Sequence, residues 1–121
     1  MRKKIFRKVV TVALATTMIM STSIMAFANS RHYGEASNEV GDFKTIMEYD
    51  YSDGSWSSIS YYDTSVLETY DDYELGDANT DWSDSSGSSD YDVYHYGNYR
   101  GTLTVRTTLD IYGNIDDFVL Y

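Results

Sequence analysis

The side chains able to do chemistry in this sequence are two histidines, His32 and His95, a large stock of serine and aspartate, and 13 tyrosines. Serine, aspartate and imidazole can always be combined on paper into a nucleophile and its base, so residue types alone specify no reaction. Spacing would specify one. The chain carries no G-x-S-x-G elbow, no H-E-x-x-H and no phosphate-binding glycine loop. Nothing activates a nucleophile, and no enzyme is expected. His95 lies between Tyr94 and Tyr96 and is expected to pack in a strand with one ring nitrogen hydrogen-bonded.

Oxygen-rich side chains raise a second chemistry. Asp77, Asp81, Asp84 and Asp90 fall within one serine- and glycine-rich stretch, "DANTDWSDSSGSSD". Clustered carboxylates repel one another, and a hard cation relieves that, so weak calcium binding is the only cofactor expected there. The stretch "YDYSDGS" fails the calcium-loop pattern, because Tyr49 and Tyr51 stand where aspartate or asparagine is required. The third chemistry is aromatic. Trp56, Tyr61, Trp82, Tyr94, Tyr96 and Tyr99 are the candidates for a solvent-facing row. Flat rings with wet polar tips stack on sugars and on protein surfaces at low entropic cost.

The elements that would position these groups read as β throughout. In "FKTIMEYDY", Phe43, Thr45, Met47, Tyr49 and Tyr51 alternate with Lys44, Ile46, Glu48 and Asp50, the period of a half-buried strand. Asp53-Gly54 predicts a two-residue hairpin turn, which would pair Tyr51 with Trp56, Tyr49 with Ser58 and Met47 with Ser60. Residues 64–76 fit a capped helix or an edge strand, with the strand favoured by its neighbours. Residues 77–90 read as an acidic loop. "YDVYHY" splits into Tyr91, Val93 and His95 against Asp92, Tyr94 and Tyr96, and "GNYRG" turns it. Leu103, Val105, Thr107 and Leu109 then face one way, and "YGN" returns the chain as "IDDFVLY". The expected fold is all-β: a hairpin plus a three-stranded meander in a small antiparallel sandwich or open barrel, spanning 42–121 and preceded by a flexible lead-in at 29–41.

Composition sets the location. Arg2, Lys3, Lys4, Arg7 and Lys8 head an apolar stretch that ends at Ala26-Phe27-Ala28. Basic head, short apolar middle and small residues at Ala26 and Ala28 predict a signal peptide over 1–28, cleaved before Asn29, and no membrane span afterwards. All 19 acids lie beyond it, against four remaining bases. Such a surface repels nucleic acid. With no cysteine, the exported domain must stand on packing, or on packing plus bound metal. The expectation is a secreted, acidic, non-enzymatic module of the bacterial extracellular space that binds a glycan or a protein.

Small size, export, absence of cysteine and the spaced aromatics of "VYHYGNYRGTLTV" resemble the lactococcin-972-like secreted bacteriocins. The likeness is confined to Val93–Val105, and the acidic balance departs from what an agent seeking an anionic envelope needs. It implies a second function class, a small secreted toxin or inhibitor.

Overall fold

The computed structural model describes residues 30–121, so the signal-peptide reading lies outside the described residues. Eight strands follow in order: β1 Ser30–Ser37, β2 Gly41–Ser52, β3 Trp56–Thr69, β4 Tyr73–Leu75, β5 Asn79–Trp82, β6 Ser86–His95, β7 Asn98–Leu109 and β8 Ile115–Leu120. All pairings are antiparallel. One sheet runs β1-β2-β3; the other runs β4-β6-β7-β8, with β5 also on β6. The described residues form no helix, and Thr64–Thr69 simply extends β3.

Three expectations are corrected. Residues 29–41 are not merely a lead-in, because Ser30–Ser37 pairs along its whole length with β2. Asn38 makes the turn, its side-chain oxygen accepting from the backbone N–H of Val40 at 2.9 Å and of Gly41 at 3.3 Å. The inward positions of β1 are His32, Gly34 and Ala36, opposite Met47, Thr45 and Phe43. Polar and small residues leave no apolar period to read.

The β2–β3 hairpin is formed, but in another register. Gly54 alone takes a positive φ, 80°, and Ser55 N–H donates to Ser52 O at 2.7 Å. That is a turn with glycine third, so the loop has three residues and Ser52 faces Trp56. A bulge after Glu48 shifts pairing again and sets Met47 opposite Tyr62. Phe43 and Met47 are buried, as their alternation predicts, and Tyr62 is buried with them, whereas Tyr51 and Trp56 are exposed.

The third correction concerns 77–90. β5 and the first half of β6 occupy most of it, joined by a serine turn in which Ser83 N–H donates to Ser86 O at 2.8 Å. Gly87 lies under the Tyr62 ring, and any Cβ there would collide with it. The small residues of β6 make room for a large ring on the facing sheet.

The two sheets bury their inner faces against each other. Ala36, Val40 and Phe43 meet Tyr91, Val93, Leu103 and Val105; Met47, Ile59 and Tyr62 meet Leu109. Each fully buried apolar side chain contributes about 1.5–3 kcal/mol. Leu103, Val105, Thr107 and Leu109 all point inward, as their alternation predicts.

A polar cluster crosses this core. Asp117 on β8 accepts from His32 Nε2 at 2.7 Å with one carboxylate oxygen. Its other oxygen accepts from Thr45 Oγ1 at 2.7 Å and Thr107 Oγ1 at 2.6 Å. The Tyr62 hydroxyl donates in turn to Thr107 Oγ1 at 3.0 Å. A Cβ on Gly34 would collide with both Asp117 and His32, so only glycine lets them meet. Burial pushes the Asp117 carboxyl up, but the His32 hydrogen bond and charge, with the two threonine hydroxyls, hold it below the usual carboxylate range.

Removing this carboxylate strands three donors. Asp117→Ala is expected to lose about 3–5 kcal/mol in urea unfolding. A lowered folded pKa contributes stability above the unfolded carboxylate range and loses it as pH falls through the folded value. Stability of the wild type should therefore drop more steeply on acidification than that of Asp117→Asn. Parallel pH curves for the two proteins would contradict this role.

Candidate functional site

One end of the molecule concentrates backbone strain and aromatic rings. β6 and β7 are joined by Tyr96-Gly97, with His95 opposite Asn98 and φ values of 51° and 78°. Positive φ at both central residues defines a type I′ turn. The sequence placed the turn across "GNYRG"; the structure uses two residues, and a bulge after Val93, with Gly101 at φ 111°, takes up the remainder. The neighbouring connection repeats the device. Asp71 and Asp72 have φ of 49° and 63°, and Tyr73 N–H donates to Tyr70 O at 2.9 Å. Asp71, Asp72 and Tyr96 are the non-glycine residues with positive φ among those described. All three sit at this tip.

The turns are tied together. Tyr96 N–H donates to Asp72 O at 3.2 Å. His95 donates from Nε2 to Asp71 O at 2.7 Å. The imidazole stacks on Tyr73, with ring centres 4.0 Å apart and planes 12° from parallel. The Tyr96 ring centre lies 4.4 Å from that of the same imidazole, with the planes tilted by 40°. The expected role of His95, packing in a strand with a hydrogen-bonded nitrogen, matches this placement. Tyr94 and Tyr99 are cross-strand partners, their rings edge-to-face at 5.7 Å. Tyr96 is 68% exposed and Tyr99 59%, so these rings cover no core.

The other aromatic candidates lie elsewhere. Tyr61 on β3 and Trp82 on β5 form a second edge-to-face pair at 5.8 Å, both exposed. Trp82 pairs with Gly87, seven positions along β6 from Tyr94, roughly 20 Å at the rise of a strand. Trp56 stands exposed at the start of β3. The six rings therefore make two pairs and two singles (Tyr96 at the tip, Trp56 apart), and only Tyr94, Tyr96 and Tyr99 share one end. Tyr73, Asp71 and Asp72 belong to that end and were not foreseen. The signal available was the run "YDDY", because aspartate tolerates the left-handed region better than most residues.

The structure does not gather the four aspartates of the calcium expectation into one site. Asp81 accepts from the Trp82 backbone N–H, Asp84 from Ser58 Oγ, and Asp90 from Thr104 Oγ1. Among the described residues no three histidine, aspartate or glutamate side chains are arranged to hold a metal ion. No helix of the described residues is long and apolar enough to cross a membrane.

Two outcomes follow from this geometry. Millimolar calcium is expected to leave the melting temperature unchanged. Tyr96→Asn, which suits the left-handed region better, is expected to stabilise the protein by about 0.5–1 kcal/mol in denaturant unfolding; destabilisation would refute the strain. No protein-family model matches the chain, and no curated protein or solved structure matches it either, so function is argued from this site.

Proposed function

We propose that this protein is an exported, acidic, non-enzymatic binding module of the extracellular space, a small β-sandwich whose tyrosine tip contacts a protein or glycan. One observation carries the reading: Tyr96 keeps its exposed ring on a left-handed backbone where asparagine or glycine would cost less. Strained backbone persists where the side chain it presents is used. Tyrosine supplies contact area with few rotatable bonds, and the adjoining Tyr94–Tyr99 pair extends the surface.

Further support comes from the imidazoles and from charge. His95 is committed to a backbone carbonyl and His32 to a buried carboxylate, both structural bonds. The excess of 19 acids over nine bases favours neutral or basic partners over nucleic acid. The basic head and the Ala26-Phe27-Ala28 site support export.

The test begins with the protein recovered from the culture medium. Its intact mass is expected to correspond to a chain starting at Asn29. Pull-down from cell-surface extracts and a glycan array should then return a ligand, with Tyr96→Ala and Tyr99→Ala each weakening it at least about tenfold. Trp56→Ala should leave binding and melting unchanged. Full binding by a Tyr96→Ala/Tyr99→Ala double variant would move the contact surface off the tip. Growth inhibition without any captured ligand would move the protein to the toxin class.

A further inference from the structure

A second feature lies on the outer face of the β6-β7-β8 sheet, at the end away from the tip. A depression of about 490 Å³ is lined by Arg106, Thr108, Asp116, Phe118, Asn114 and Ser86, among others. That volume falls within the range of small-molecule sites. Its floor is set by register. Arg106 pairs with Phe118, and Thr108 lies between Ser86 and Asp116. One wall is already rigid. Asp110 accepts from the backbone N–H groups of Tyr112 and Asn114 and from the Asn114 amide, at 2.8–2.9 Å. Those bonds to Asn114 hold the Asp110 carboxyl below its usual range and leave it little further use.

Arg106 is the anomaly. Its Nε is buried and has no hydrogen-bond partner, and no ion pair among the described residues engages its guanidinium. Arg106 as a whole is half-buried, and a buried N–H donor without an acceptor is costly and uncommon. Asp116 is the diagonal cross-strand neighbour of Arg106, about 7–8 Å away in such a ladder. The two charges do not pair.

We propose that this depression is a binding site for a neutral saccharide. The ligand class follows from the lining. Asp116 disfavours an anion, Arg106 disfavours a cation, and the protein as a whole is acidic. A sugar ring satisfies both charges at once: its oxygens accept from Arg106 while its hydroxyls donate to Asp116. Thr108 and Ser86 add hydroxyls that donate or accept, and Phe118 offers a ring for the apolar face of the sugar. The site stands apart from the tip, since Arg106 is seven positions along β7 from Tyr99, roughly 20 Å. It holds whether or not the tip binds a partner.

The test is amide NMR of the isotope-labelled protein titrated with maltose, cellobiose and lactose, and separately with glucuronate. Saturable shifts at Arg106, Thr108, Asp116 and Phe118 are expected with at least one neutral sugar. Arg106→Gln and Asp116→Asn should each weaken them at least about tenfold, and Tyr96→Ala should not. Asp116 is exposed, so its variant decides the matter even if Arg106→Gln does not fold. Absence of saturable shifts up to ~100 mM sugar overturns the proposal. So do shifts confined to the tip, or a preference for glucuronate that survives Asp116→Asn.

Discussion

A carboxylate between two sheets is costly unless its oxygens are fully used, and Asp117 uses both. His32, Thr45 and Thr107 reach it from β1, β2 and β7, so four strands converge on one side chain. β1 and β8 are edge strands of different sheets, and His32 and Asp117 are 85 positions apart in sequence. The bond between them closes one side of the two-layered body. In a chain without cysteine, this cluster joins distant strands as a cross-link otherwise would. It also fixes register. A slip of one residue in β2 or β7 would turn its threonine to the outer face and cost the buried Asp117 one of its three donors.

The sequence was legible wherever alternation was carried by apolar residues. Leu103, Val105 and Leu109 placed β7, and Phe43 and Met47 placed β2, because most inward positions are large and apolar and most outward ones polar. Legibility failed where the inward positions are small. His32, Gly34 and Ala36 make β1 look like a tail, and Gly87 and Ser89 make β6 begin like a loop. In both segments the missing bulk comes from elsewhere: Phe43 stands opposite Ala36 on β2, and Tyr62 lies over Gly87 from the facing sheet. Hairpin register failed for a local reason. Asp53 did not take the positive φ that a two-residue turn requires, and one extra loop residue displaced every pair beyond it. Asp117 was half legible: Ile115, Asp117 and Val119 share a face, but nothing local says the aspartate is wanted inside.

The tip depends on the core through Tyr73. That ring packs against the cluster containing Phe43, Tyr91 and Leu103, and it stacks on His95. His95 in turn holds the Asp71 carbonyl, and Tyr96 N–H holds that of Asp72. Two strained turns are thus braced by one core residue and one imidazole. The rings they carry are held in place by these contacts, which would lower the ordering cost of the proposed binding.

The opposite end shows that strain is not forced by the fold. There the turn at Gly54 docks on the turn at Gly113: Gly54 N–H donates to Ile111 O at 2.9 Å, and the Tyr51 ring lies over Gly113. Both positive-φ positions at that end are glycine, with φ of 80° and 83°. Where geometry alone is needed, this chain uses the residue that adopts it freely. At the tip the same left-handed region holds Asp71, Asp72 and Tyr96, although Gly97 stands immediately beside Tyr96. Aspartate tolerates that region better than most residues, so Tyr96 is the side chain kept against a backbone preference, and that contrast between the two ends supports the proposal that the tip is the contact surface.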